Sequence, residues 1–438
     1  MKLSLAILSL LFISSSAFSA DSTPANELQS IMKQQLALNA RLTPGVSTAQ
    51  EVTEIRAQKA ALRYRASQIA EAQSGNTQRA LSEASPASFS KDQIVTLNPA
   101  FDKLEFRSGD IFLVRGSTTV STAIATITDQ PSQFSHTFMI YLNPEDQKMY
   151  AIEALMDQGV IVHPFEETLT EGLSRMNLYR YKDAALANAA AKIEFDRAMA
   201  AIRSGTRIPY AHSLVLDTSF NSVTCSQEVS SGFFMVSNGS LKFPSFESTL
   251  GAKFPNLIEA LGIAKASVLP VIWPADYDTT EGLTLVAESI DPRASFNYRI
   301  KDQIILSLFT WIEDGSVGRD FTRLISLAKA ELAQKLNAQS GPAGTVKLTS
   351  PTNPPAQNSQ VELMGLFASK ANDVVNALTT QILAANQKQL AKSGRNMSEA
   401  ELSLYMESVR HSPFVENLLH ANGFSPKAGS CQDLFGAH

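Results

Sequence analysis

The spacing of apolar residues along this chain changes character twice. Between residues 24 and 73 it is helical. Leu28, Ile31, Met32, Leu38 and Leu42 form one loose stripe, and Val52, Ile55, Leu62 and Ile69 recur at near-heptad spacing in a second. Pro44-Gly45 separates the two stripes. Thr23-Pro24 provides a cap followed by a first-turn proline, and Thr48 with Glu51 has the spacing of a capping box. The pattern predicts a helical hairpin, read as a packing or dimerisation element, followed by a Ser-, Ala-, Asn- and Gly-rich linker over 74–91.

The period then shortens. Ile111 to Val114, Phe134 to Leu142, Met149 to Ala154, Val160 to His163 and Met176 to Tyr181 read as strands, with turns at 143–146 and 157–159. Helices are expected over 118–128 and over the Ala-rich stretch 184–204. Thr224 caps a further one running from Cys225 to about Phe234. This is an α+β core, an antiparallel sheet with segregated helices. From about 290 the pattern is helical again. Ile304, Ile305, Leu308, Trp311 and Ile312 form one face, and Phe321, Leu324, Ile325, Leu327, Leu332 and Leu336 another. Helices are expected near 361–391 and, after a Ser398–Glu401 capping box, near 399–410.

The first twenty residues read as an address. Lys2 precedes an eleven-residue apolar stretch, Leu3 to Ile13, and Ala17-Phe18-Ser19 fits a small-x-small cleavage site. The expected organisation is a signal peptide at 1–20, the hairpin and linker at 21–91, an α+β domain at 92–285, and a helical region at 286–438 with a Pro-rich linker at 340–358. No cysteine near the cut points to a lipid anchor, and no later apolar run is long enough for a membrane span. The mature protein is expected in the periplasm or outside the cell.

Composition narrows the function classes. With 438 residues, 44% hydrophobic and 18% charged, the chain has apolar material for more than one packed unit. A net charge of −5 offers no basic field for nucleic acid. Two cysteines rule out a disulfide scaffold, and six histidines without an H-x-x-x-H pair give no metalloprotease motif. His136, His163, His212 and Glu153 are joined by no metal-ligand spacing. Neither a metal nor a cofactor is expected.

One set of residues combines a nucleophile, a base and an orienting group. Cys225 lies at the first turn of its helix, where free N–H groups and the positive helix end favour a thiolate and can stabilise an oxyanion. His136 lies on one strand and Glu153 on the next, where a carboxylate can fix the imidazole's tautomer. Taken singly, each residue type is more often packing or surface charge than chemistry: a cysteine at a helix start a small buried residue, a histidine on a strand a satisfied structural group, a glutamate a solvated charge. His163, before Pro164 at a strand end, reads as exposed or structural.

The order of short motifs adds to this. Gly109-Asp110-Ile111, Phe134-Ser135-His136, Ile152-Glu153-Ala154, Pro209-Tyr210 and Thr224-Cys225-Ser226 follow one another. This series resembles the circularly permuted branch of the NlpC-type papain-like cysteine hydrolases, the YiiX/YebB-like group, over about residues 105–275. The resemblance implies a permuted papain-like core, with Cys225 as nucleophile, His136 as base and Glu153 as the acidic third residue. It implies that Tyr210 lines the site or donates toward an oxyanion, and it places Ser226 beside the nucleophile in a substrate-binding or oxyanion role. Two positions depart from the family pattern. Gln227 stands where a glutamate is usual, with Glu228 after it, and Tyr210 is followed by Ala211 and His212 rather than Asp.

The implied chemistry is acyl transfer through a thioester. The substrate would be a small peptide, a cell-wall peptide amide, or a lipid-like acyl group handled by a hydrolase or acyltransferase. A different class stays open: a non-catalytic scaffold whose helical flanks bind a protein partner or self-associate. A Cys225–Cys431 disulfide would favour that class, because a paired sulfur cannot attack.

Overall fold

The structure, a computed structural model, describes residues 24–43, 46–73, 94–96, 104–129, 132–156, 158–170, 173–211, 219–260, 269–317 and 355–424. The expected signal peptide at 1–20, the linker at 74–91, the apolar face over 321–336, His212 and Cys431 lie outside the described residues.

The hairpin is present as α1 (Pro24–Asn39) and α2 (Ala49–Gln73). The core follows as β1 (Ile94–Thr96), β2 (Ile111–Arg115), α3 (Thr119–Thr126), β3 (His136–Asn143), β4 (Lys148–Leu155), β5 (Gly159–Pro164), α4 (Phe165–Thr170), β6 (Arg175–Tyr181), α5 (Ala184–Arg203) and α6 (Cys225–Val236). Then come β7 (Ser248–Leu250), α7 (Pro255–Ala260), β8 (Leu269–Val271), a 3-10 turn (Pro274–Thr279) and β9 (Leu283–Ile290). The chain continues as α8 (Pro292–Glu313), α9 (Pro355–Ser393), α10 (Glu399–Val409) and α11 (Pro413–Ala421).

Among the described residues the main sheet has seven strands in the order β1-β9-β6-β2-β3-β4-β5, and every neighbouring pair is antiparallel. The α+β class is therefore present. β2 is central and all five of its residues are buried. A strand covered on both faces is a continuous apolar run rather than an alternating one. Ile111 and Leu113 pack with Phe195, Val229 and Phe233 of α5 and α6. Phe112 and Val114 pack on the other side with Phe138, Ile140 and Phe165.

β9 was not expected as a strand, and it runs across the boundary placed at 285/286. Its alternation is broken by a bulge: Leu178 pairs with Ala287 but Tyr179 with Leu285, leaving Val286 as the extra residue. Val286 and Ala287, adjacent in sequence, consequently pack on the same side of the sheet. α9 begins at Pro355, inside the stretch 340–358 expected as linker, because proline is at ease in a first helical turn. α11 was also not anticipated; Ser412 caps it ahead of Pro413. Helices α3 and α7 to α11 share a core around Ile304, Ile305, Leu308, Trp311, Val374 and Leu378.

The hairpin is fastened to the core by charge as well as by apolar contact. Leu28, Ile31, Ile69 and Ala70 pack with Ile290 of β9. Beside them α2 turns three cations inward, all buried. Arg56 pairs with Asp276 at 2.9 Å, Lys59 with Asp278 at 2.6 Å, and Arg63 with the other oxygen of Asp278. Tyr179 of β6 also donates to Asp278. Both aspartates belong to the 3-10 turn.

Candidate active site

Cys225 is the first residue of α6 and is a buried free thiol. Its helix starts there because Thr224 and Gln227 close a capping box. The Thr224 side chain accepts the Gln227 N–H at 3.2 Å, and the Gln227 side-chain oxygen accepts the Thr224 N–H at 3.0 Å. An amide oxygen serves this role as a carboxylate would. Gln227, at the position where the resemblance leads one to expect glutamate, thus caps the nucleophile's helix. Glu228 is fully buried, and its carboxyl oxygens have no hydrogen-bond partner among the described residues. Burial, and then repulsion from Glu194, pushes its carboxyl well above the ordinary range.

Two tyrosines touch this first turn. The segment before α6 pairs with the segment after α5: Ala211 N–H donates to Val223 O at 3.0 Å and Val223 N–H to Pro209 O at 3.1 Å. That short parallel bridge sets the half-buried Tyr210 against Cys225. Burial, and then the neighbouring charge of Cys225, pushes the Tyr210 hydroxyl well above its ordinary range. Tyr277, from the 3-10 turn, donates to the Ser226 carbonyl. Ser226 itself is buried, with Oγ 3.9 Å from the Cys225 sulfur.

The sheet supplies the other groups. Gly109-Asp110 shapes the entry to β2. Gly109 has φ +85°, its N–H donates to Ile140 O at 2.8 Å, and a Cβ there would lie 2.4 Å from the Ala187 backbone. Asp110 accepts both Arg180 Nε and Nη2 at 2.7 Å. These two residues hold strands together rather than facing the thiol. His136 opens β3, opposite Val114 of β2. The register pairing Met139 with Ile152 brings Glu153 of β4 diagonally to it. His136 Nε2 lies 2.5 Å from Glu153 Oε2. Nδ1 is the ring nitrogen left to face Cys225, whose titration the imidazole lowers. The other carboxylate oxygen, Oε1, is held by His163 Nε2 from β5.

Cys225, His136, Glu153, Tyr210 and Ser226 therefore meet in one place. The His136 side chain is 20% exposed and Glu153 only 4%, so the site opens on the imidazole side and closes over the carboxylate.

The proton distribution follows from these contacts. Burial favours the neutral thiol, but the hydrogen bond and charge of His136, the Thr137 backbone N–H and Ser226 outweigh it and lower the Cys225 titration. Burial likewise opposes a charged imidazole, yet Cys225 and Glu153 together raise His136 from 6.5 to about 10. Glu153 resists burial through its two imidazole partners and falls from 4.5 to about 2. The shifts all run toward one arrangement, thiolate, imidazolium and carboxylate in a line.

Sequence reasoning did not foresee Tyr277, the Thr137 amide or the place of His163. Among the described residues no group of three or more His, Cys, Asp or Glu is arranged to hold a metal ion, and no helix is long and apolar enough to cross a membrane. No family model, no curated protein and no solved structure matches this chain.

Proposed function

We propose that this chain is a secreted or periplasmic cysteine hydrolase with a permuted NlpC-type papain-like core. The observation that carries the reading is one imidazole bonded to a buried carboxylate and electrostatically coupled, on its other side, to a buried thiol at a helix N-terminus. Three functional groups in that order are the parts of a thiol-based acyl transfer.

The Cys225 thiolate attacks a substrate carbonyl carbon. A C–S bond forms and the carbonyl electron pair moves onto oxygen. The Cys225 amide faces that oxygen, and the Tyr210 hydroxyl, brought to the start of the helix by the Tyr210–Val223 bridge, joins it as second donor. As the carbonyl reforms, the bond to the leaving amine breaks and His136 delivers its proton there. Water then attacks the thioester with His136 as base, and the thiolate departs with the acid product released. Glu153 keeps Nδ1 of His136 turned to the sulfur through both steps.

The substrate class we favour is the amide bond of small peptides, with cell-wall peptides as the extracytoplasmic source. The test is to incubate the mature protein with purified cell-wall fragments and follow new amine and carboxyl ends by mass spectrometry. Cleavage by wild type and none by a folded Cys225→Ala or His136→Ala variant is the expected result. A Cys225→Ala protein that retained full turnover would overturn the mechanism.

A further inference from the structure

Glu153 is not a simple third member. Each of its oxygens receives one imidazole, Oε2 from His136 and Oε1 from His163. β4 and β5 are tightly registered, Leu155 with Gly159 and Glu153 with Ile161, which places His163 diagonally across from Glu153 on the same face. The register is pinned at its turn. Gly159 sits at φ +72°, where a Cβ would lie 2.3 Å from the Ile208 carbonyl oxygen, and Val160 N–H donates to that oxygen at 2.9 Å. Beyond His163 the chain turns into α4, whose Glu167 carboxylate is 3.8 Å from His163 Nδ1 and 66% exposed. The result is a line from sulfur to solvent: Cys225, His136, Glu153, His163, Glu167.

We propose that His163 is a positioning residue of the Cys225 site, a role that rests on the hydrolase reading above. A carboxylate bonded at one oxygen can turn about its terminal torsion, which is broad. Bonded at both, it is fixed. With Glu153 almost wholly buried, no solvent replaces a missing partner, and an oxygen left without a donor carries the full cost of its desolvation. Removing the donor at Oε1 frees Glu153 to rotate, and His136 then loses its orienting anion. His163 touches neither sulfur nor the site of attack, so it acts only through Glu153. What it supplies is an N–H at the position of Nε2, which a glutamine side chain reproduces and a leucine or a shorter asparagine does not.

The experiment uses the full mature chain with iodoacetamide as probe. Alkylation of Cys225 is followed against pH by peptide mass mapping, which separates it from Cys431. Wild type, His136→Ala, His163→Leu, His163→Asn and His163→Gln are compared, with circular dichroism and melting curves to verify folding. The expected result is an upward move of the Cys225 titration by about one pH unit in His163→Leu, equivalent to about tenfold less thiolate below the midpoint. His163→Gln keeps the wild-type profile. His163→Asn behaves as the leucine variant and takes its place if that variant does not fold. A folded leucine or asparagine variant with the wild-type profile overturns the proposal, as does a glutamine variant as impaired as leucine. If wild-type Cys225 titrates as an ordinary thiol and His136→Ala changes nothing, the hydrolase reading fails and this role falls with it. A wild type that passes beside a silent His163→Leu removes this role alone.

Discussion

Replacing Asp278 by asparagine tests how the hairpin holds the candidate site. Asp278 is 2% exposed and accepts from Lys59, Arg63 and Tyr179. Its carboxyl is held far below the ordinary range: burial opposes the charge, and the Arg63 and Lys59 charges overcome that opposition. The asparagine keeps the shape but leaves two buried cations without their anion. Breaking a buried pair from one side costs about 3–5 kcal/mol. One cation has an escape. Lys59 is already pulled by burial from 10.5 to about 8, and Asp278 is the main group resisting that pull. Without the carboxylate, Lys59 becomes neutral near pH 7, at a cost of about 1.4 kcal/mol for each unit. Arg63 has no such escape. The expected loss is therefore about 3–4 kcal/mol, a large fraction of a typical domain's stability. Lys59→Met leaves Arg63 on the carboxylate, and its expected loss is about 1–2 kcal/mol. Urea unfolding followed by tryptophan fluorescence reads both variants, since Trp273 precedes the 3-10 turn directly. Because Tyr277 of that turn bonds the Ser226 carbonyl, iodoacetamide labelling of Cys225 should also become faster in Asp278→Asn below the global unfolding transition. An Asp278→Asn protein within about 0.5 kcal/mol of wild type would refute the reasoning.

Gly109→Ala should destabilise by more than about 1 kcal/mol, since the new Cβ meets the Ala187 backbone and φ stays positive; a melting curve unchanged from wild type contradicts this. Glu153→Gln should lower Cys225 reactivity less than His136→Ala does, because it disturbs orientation while leaving the base in place; alkylation rates at neutral pH give the order. The site also predicts a pH signature. Taken singly, the raised His136 adds stability below 6.5 that is lost toward 10, and the lowered Cys225 adds stability above 9.0 that is lost as pH falls. Between 6.5 and 9.0 these slopes have opposite sign, because the unfolded chain keeps one proton on sulfur while the native site favours it on imidazole. The stability difference between wild type and His136→Ala should therefore change by less than about 1.4 kcal/mol per unit across that span. A slope near 1.4 kcal/mol per unit in that window would mean that the imidazole titrates alone.

Much of the core was legible because local chemistry and global fold agree. The apolar run of β2, the turn that leads into Gly159 and the Thr224 cap each follow from a rule of spacing. Cys225 and His136 stood out only through the order of short motifs along the chain, because a thiol at a helix start and a histidine on a strand are each compatible with plain packing. β9 was not legible, because the bulge at Val286 destroys the period that identifies a strand. The inward cations of α2 were hidden as well. No spacing rule marks Arg56, Lys59 and Arg63 as buried, and their partners lie more than 200 residues away. His163 sat between the two cases. The tight turn fixes Glu153 opposite Ile161 and so places residue 163 on the same face, but only the side-chain geometry shows that it reaches the second oxygen of Glu153.

The most direct test of the account is the alkylation rate of Cys225 against pH in wild type beside His136→Ala. The account predicts a wild-type apparent pKa well below the roughly 8.5 of a free thiol, moving up when the imidazole is removed. A wild-type Cys225 that titrates as an ordinary thiol, with no change in His136→Ala, would contradict it.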